Sequence, residues 1–590
     1  MMIVVLGALA LLQMAFIPGF LLLRFVRLPS DSITESLLLC LGLSLPINYV
    51  LVMFMTLCGI FLRNSVFALM AVEIALLIAL LIWGRDAVDT SEPPEVARRF
   101  NASSLLAALT IIAAAFVLCR STWSNGLLFR TWDAVFSWNR WAADWSQNRL
   151  PETPWSYPQL LPANWALSYV IIGNRDIQLF ARSLMTFFPL GILASFVVLA
   201  RRTRDATWLV AMLVCALLLW YYLRPYLADG YADLAVAFFA FVAYVMLQRN
   251  KKKDVKSVFL FSTLTAAAAA TKQAGFFAAA IGLICVMVMV FRSDFAPAHR
   301  VRLITTALLV PVVLVGSWYL IDLAGAVPGG KRTIMPLLIA THQGRDLLHR
   351  VLFGMHLMGW PLEAILLLSL AAVWQRRARP IVLAIVLPFT LIWALGYSYD
   401  LRNLTLILPF TAFTGTAGAV GYLRRFQPPG ERSWVLLDVL VVLSIAAIIV
   451  TTFLLARPDV ARRSAEEIRR QGSPELDRWL YQELARRDFH GLILSDYRYV
   501  LLLPEFLERT LYAPYNEYSQ SRYRLRNDFA VKVVRPSELA AALSDQPQWI
   551  VVDWRERSPV SLALFDHDLQ TRGYAVTFAS GDRYRVYRKK

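Results

Sequence analysis

Long apolar runs fill most of the chain, broken by short polar segments. The runs lie near residues 1–23, 33–62, 65–84, 103–119, 177–200, 206–223, 232–247, 257–271, 275–291, 303–321, 351–374, 381–397, 404–422 and 434–456. Most approach the ~20 apolar residues that a helix needs to cross a ~30 Å hydrocarbon core, which predicts about 14 crossings. Every second polar segment is basic: Arg24 and Arg27, then Arg85, Arg98 and Arg99, then Arg201, Arg202 and Arg204, then Arg249 with Lys251 and Lys252. The alternation continues through Arg292, Arg300 and Arg302, through Arg376, Arg377 and Arg379, and through Arg424, Arg425 and Arg432. Basic loops stay in the cytoplasm, so the N-terminus, the long loop at 121–175 and the segment after 456 are expected outside. No basic residue precedes the first run, which predicts a membrane helix there, not a signal peptide.

Residues 457–590 follow a different pattern. Charges become frequent, and Ser473-Pro474 and Ser558-Pro559 carry the signature of helix starts, as does Ser537-Glu538. GLILSDY (491–497) and QWIVVDW (548–554) predict short buried strands, and 574–588 a strand pair. The expected architecture is a polytopic α-helical membrane protein with a C-terminal extracytoplasmic α/β domain. Its divisions are residues 1–100, a helical body at 101–456 and the domain at 457–590.

Composition agrees. Of 590 residues 58% are hydrophobic and 17% charged, which excludes a soluble multidomain chain. The formal net charge of +18 is concentrated in the alternate loops, so it reports membrane orientation and not nucleic-acid binding. The five cysteines sit in or beside apolar runs and form neither a disulfide framework nor a metal motif.

Candidate chemistry gathers in the loops expected outside. Residues 121–165 hold seven of the 18 tryptophans. Within TWDAVFSWNRWAADW, Ala134, Trp138, Trp141 and Trp145 share one helical stripe opposite Ser137, Arg140 and Asp144, which predicts an amphipathic helix at the membrane interface. Asp133 opens it, as an N-cap, as a base able to take a proton from a hydroxyl, or as both. Asp229 and Asp233 lie in YLRPYLADGYADLAVAFF, with Asp233 at a helix start. Asp133 and Asp233 could together bind a divalent ion, Mg or Mn. Lys272 in AAAAATKQAGFFAAA is a cation on the side that positive-inside disfavours; it either grips an anionic group such as a lipid phosphate or snorkels. Arg402 in YSYDLRNLTLILPF is similar, with a plain pair to Asp400 as the simpler expectation. Lys331, Arg332, His342, Arg345 and His349 make 322–349 cationic, mostly as a solvated surface with one or two groups on a phosphate. Asp496, Asp553 and His567 are expected to be ordinary polar residues of the C-terminal domain.

In TWDAVFSWNRWA with YPQLLP, then GYADLAVAFF, TKQAG and LRNLTLILPF, the chain resembles the GT-C class of membrane glycosyltransferases over about residues 100–425. It is most similar to bacterial protein-mannosyltransferase-type enzymes, the aminoarabinose transferase of lipid A and the RgtA/B/C/D-like group. The resemblance implies inverting transfer of a sugar from a polyprenyl-phosphate donor to a hydroxyl of a glycan, lipid or protein at the outer face of a bacterial inner membrane. It makes Asp133 the base and Asp233 the second acid, puts Lys272 and Arg402 near the donor phosphate, and gives Trp138, Trp141 and Tyr157 to substrate binding. The chain departs from the pattern at Ala134, where the protein mannosyltransferases carry a second acid, at Ala274 before Gly275, and in three additional N-terminal helices.

Two other classes compete. A transporter or flippase of lipid-linked solutes needs charge at mid-membrane depth, where Glu73 and Glu363 are the few acids. A non-catalytic scaffold presenting residues 457–590 would tolerate loss of Asp133 and Asp233. An O-antigen ligase or polymerase would instead place its large loop late in the chain.

Overall fold

The computed structural model describes residues 2–28, 30–83, 102–131, 133–151, 154, 156–249, 254–327, 346–397, 400–420, 429–470, 473–480, 482–483, 491–495, 497, 510–512, 543, 546–553, 559–581 and 583–590. Among these, eleven helices are long and apolar enough to cross a membrane: Met2–Val26, Ile33–Leu57, Arg63–Leu80, Ala102–Ser124, Leu179–Thr203, Thr207–Tyr226, Pro297–Leu323, Leu347–Trp374, Arg379–Gly396, Leu401–Val420 and Arg432–Leu455. Each predicted apolar segment is helical, but Asp233–Arg249, Val255–Thr271 and Gly275–Phe291 have only 17 residues each. At ~1.5 Å per residue they reach about 26 Å, short of a ~30 Å core. Large apolar side chains such as Phe25, Phe116, Leu217, Phe291 and Leu367 stay exposed on the outside of the bundle, as a lipid-facing surface allows.

The helix ends divide between two ends of the bundle. At the basic end, buried Glu35 holds Arg202 at 2.7 Å and Arg249 at 2.8 Å, and Asp438 accepts from Arg201 at 2.7 Å and from Thr34 at 2.6 Å. These carboxylates neutralise part of the loop charge and tie four helices together. The N-terminal helices share the common core: Gln13 donates to Asn48 at 3.2 Å, and Asn164 reaches back to the Leu45 carbonyl at 2.9 Å. Such interhelical side-chain bonds supply glue that lipid cannot.

At the opposite end the 121–175 segment is not a loop on a surface. It contains the helices Arg140–Ser146 and Leu160–Ile172, and every residue of the latter is buried. The amphipathic expectation is corrected here as well. Trp138, Trp141 and Trp145 are buried, but so are Arg140 and Asp144 on the other face. Asp144 is paired with half-exposed Arg149 at 2.8 Å, so the stripe is largely covered by protein, with Ser137 half-buried.

The C-terminal region carries a five-stranded mixed sheet, with β1 (Ile493–Ser495), β2 (Thr510–Tyr512), β3 (Trp549–Asp553), β4 (Tyr574–Ser580) and β5 (Tyr584–Lys589) in the order β2-β1-β3-β5-β4. β1 pairs in parallel with β2 and β3, while β5 is antiparallel to β3 and β4. β1 and β3 are wholly buried, as their continuous apolar runs predict. β2, three residues long, was not foreseen. The helix expected at Ser537 and the residue Asp496 lie outside the described residues. Asp553 is buried and paired with Arg583 at 2.6 Å, and His567 lies exposed on the helix Pro559–Thr571.

Candidate active site

Asp133 does not cap a helix. Its backbone is already helical (φ −62°, ψ −36°), and its carboxylate accepts no capping bond. A π-helical turn, Ala134–Asn139, follows it; such wide turns recur at functional sites. The carboxylate is therefore directed elsewhere, and Arg402 Nη1 donates to Asp133 Oδ2 at 2.9 Å.

Arg402 opens the Leu401–Val420 helix through a 3₁₀ segment whose N-cap is Asp400. The Asp400 carboxylate accepts from the Arg402 backbone N–H at 3.1 Å and from Nε at 2.9 Å, and a further bond comes from Nη2. The simple Asp400–Arg402 pair thus exists, and the same guanidinium also bridges to Asp133. Burial alone would raise the Asp400 carboxyl, but the Arg402 guanidinium overrides it and holds the group down at about 2. Arg402 lies over the Tyr231 ring at 4.2 Å and nears Tyr226 at 5.6 Å, a cation–π shelf that fixes its plane. Burial and the Asp133 charge push the Tyr231 phenol upward, so it stays protonated.

Beside this lies a second pair. Asp233 starts the Asp233–Arg249 helix, as expected from the sequence, and is buried. Lys272 follows the last residue of Val255–Thr271 in extended conformation. Gly275 then restarts the chain so close to Ala268 that a Cβ would meet its carbonyl; this is why the TKQAG turn is so tight. The Lys272 ammonium donates to Asp233 Oδ1 at 2.6 Å and to Asn403 Oδ1 at 3.0 Å. Lys272 is buried, so it does not snorkel; it is neutralised by a carboxylate. Asp233 Oδ2 is buried and has no hydrogen-bond partner among the described residues. Gln273 donates to the Ser156 carbonyl at 3.2 Å, which brings the segment carrying Tyr157 against this turn. Tyr157 packs on Trp138 at 5.5 Å and on Trp141 at 5.8 Å.

The structure therefore brings together Asp133, Asp233, Lys272 and Arg402, with the Trp138, Trp141 and Tyr157 cluster nearby. Lys331, Arg332 and His342 lie outside the described residues. The two pairs differ in access: the Asp133 side chain is 35% exposed, that of Asp233 only 4%. A divalent ion fits poorly here. Each carboxylate already holds a protein cation within 3 Å, and among the described residues no group of three or more His, Cys, Asp or Glu is placed to hold a metal.

An apolar cleft, lined in part by Ala240, Tyr244, Phe261, Thr265, Phe277 and Phe410, runs between the helices that carry these charges. Ala240 and Thr265 stand seven residues along their helices from Asp233 and Lys272, or about 10 Å.

Asp229, noted in the sequence beside Asp233, has a different task. Its buried carboxylate accepts the backbone N–H of Thr131 at 2.7 Å, of Gly230 at 2.9 Å and of Arg130 at 3.2 Å. It fixes the segment that leads to Asp133. Gln178 does the same for the Phe129 N–H at 3.1 Å. Buried Arg182 donates to the Thr122 carbonyl at 3.0 Å and to that of Gly126. Asn403, Tyr231, Gln178 and Arg182 were not anticipated. Arg182 had a readable signal, a cation inside an apolar run.

No protein-family model matches the chain, and no curated protein sequence does. Solved structures that align with it include the archaeal oligosaccharyltransferase AglB from Archaeoglobus fulgidus in complex with an inhibitory peptide and a dolichol-phosphate. There the identity is 12%, the TM-score 0.41, and 82% of this chain and 74% of that one are covered. Another is ArnT from Cupriavidus metallidurans in the apo state, at 14% identity and TM-score 0.40, covering 82% of this chain and 98% of that one. A third is the Archaeoglobus fulgidus oligosaccharyltransferase tethered to an acceptor peptide, at 13% identity and TM-score 0.37, covering 82% and 74%.

Proposed function

We propose that this chain is a membrane glycosyltransferase of GT-C type. It moves a sugar with inversion from a polyprenyl-phosphate donor to a hydroxyl of a cell-envelope glycan, lipid or protein. The observation that carries the reading is the joining of Asp133 to Arg402, and of Asp233 to Lys272 and Asn403, on helices that also line an apolar cleft. Asp133 is accessible and deprotonates the attacking hydroxyl. Arg402 and Lys272 lie where charge grows on the departing phosphate, and fixed cations stabilise such charge without reorganising. Asp233, enclosed and bonded to Lys272, sets the direction of that ammonium. The apolar cleft takes the first isoprene units of the donor. Trp138, Trp141 and Tyr157 form the aromatic wall on the acceptor side, and Lys331, Arg332 and His342 are further candidates for gripping the phosphate.

In this reading all fourteen apolar helices cross a bacterial inner membrane, the three 17-residue ones in a locally thinned bilayer. The site, the N-terminus and residues 457–590 face outward. Within the class, the motifs favour the protein-mannosyltransferase, aminoarabinose-transferase and RgtA/B/C/D-like types.

The test is transfer of radiolabelled sugar from a panel of polyprenyl-phosphate donors to membrane acceptors by wild type and Asp133→Asn. Wild type transfers; the variant loses at least about a hundredfold while still binding donor. Equal transfer by both removes Asp133 as base. Donor movement across proteoliposomes without transfer would favour a flippase.

A further inference from the structure

The helix Val460–Arg470 follows the Arg432–Leu455 span and leads toward the sheet region. Its apolar side is buried through Val460 and Ile468, while Arg462 and Glu466 pair with each other in the open at its surface. Glu467 turns away from that surface pair. Its Oε2 accepts the backbone N–H of Leu127 at 3.2 Å, and its Oε1 accepts from Arg130 Nη2 at 3.2 Å. Gly126 makes this approach possible. A Cβ there would stand 2.7 Å from Glu467 Oε1, and its φ of +72° is a backbone region that side-chain-bearing residues rarely adopt.

Residues 127–131 carry no regular structure of their own, yet four of their N–H groups are held by side chains from three distant elements. Glu467 takes Leu127, Gln178 takes Phe129, and Asp229 takes Arg130 and Thr131. Two of these holders belong to the helical body. The third comes from beyond the last membrane helix. The backbone that ends at Asp133 is thus set partly by the C-terminal region.

We infer that Glu467 is a positioning residue for Asp133, through which the region after residue 456 controls the reacting carboxylate. The inference rests on the proposed role of Asp133. It makes the C-terminal region part of the machinery: the bond from Leu127 to Glu467 ties that region to the segment before Asp133.

The experiment uses the full-length protein in lipid nanodiscs, with Glu467→Ala, Glu467→Gln and the neighbouring control Glu466→Ala. Hydrogen–deuterium exchange is read on peptides covering 125–133, alongside kcat and KM for donor and acceptor. Glu467→Ala raises exchange at Leu127 about tenfold or more, the value of one charge-assisted bond, and lowers kcat by a similar factor with donor KM unchanged. Glu467→Gln keeps an acceptor oxygen for Leu127 and restores most of both. Glu466→Ala changes neither. Unchanged exchange in Glu467→Ala, or an equal change in Glu466→Ala, overturns the inference. So does a loss of kcat that Glu467→Gln fails to rescue. The exchange readout needs no turnover, so it stands if sugar transfer is not the reaction. Faster exchange with full kcat would keep the clamp but refute its link to Asp133.

Discussion

Replacing Arg402 by Gln removes one cation from two carboxylates at once, and the size of the effect follows from the geometry. Asp400 is held at about 2 instead of its ordinary 3.8, a gap that corresponds to about 2.5 kcal/mol. About a third of its side chain is exposed, so solvent screening reduces this to about 1–2 kcal/mol. The bond to Asp133, itself 35% exposed, adds about 1 kcal/mol. Arg402→Gln should therefore cost about 2–3 kcal/mol at pH 7. A carboxyl with a depressed native pKa stabilises above its unfolded value near 3.8, and that contribution disappears as the pH falls toward about 2. The wild type should thus lose stability between about pH 4 and 2, whereas the variant has already lost it at neutrality and should show a flatter acid limb. Tryptophan-fluorescence unfolding in detergent micelles between pH 7 and 2 measures both. An Arg402→Gln protein that unfolds like the wild type at pH 7 and keeps its acid limb would refute the reasoning. A double-mutant cycle with Asp133→Asn isolates the pair and should give a coupling near 1 kcal/mol.

Other outcomes follow from the same contacts. Asp233→Leu and Lys272→Met should each destabilise the protein by about 3–5 kcal/mol by leaving a buried charge unpaired, and the double variant should be less damaged than either single one in the same unfolding assay. Asp229→Asn turns one acceptor into a donor facing the 130–131 amides; it should cost about 1–3 kcal/mol, speed their hydrogen exchange and lower the transfer rate.

Much of the helical body could be read in the sequence, because each crossing carries its own apolar signal and the basic loops alternate. The charged pairs were half legible. Asp133, Asp233, Lys272 and Arg402 stood out as polar residues beside apolar runs, but single positions do not say which carboxylate meets which cation. For Lys272 the sequence left an anionic partner and snorkelling both open, because its partner is 39 residues away. The tryptophan helix was misread for a related reason. Its stripe is real, but periodicity reports that two faces differ and not that one is wet; Asp144 finds Arg149 five residues on. The segment 127–131 gave no signal, since its order comes from side chains elsewhere. β2 is too short for a pattern.

The way those amides are held also sets a timetable. Glu467 lies 340 residues beyond Leu127. At ~5–20 residues per second of synthesis, roughly 20–70 s separate their emergence from the ribosome. During that interval the helices can insert and pack, but the segment leading to Asp133 lacks one of its three holders. A nascent chain already in the membrane thus holds the segment before Asp133 loosely until residue 467 has been made and can reach Leu127.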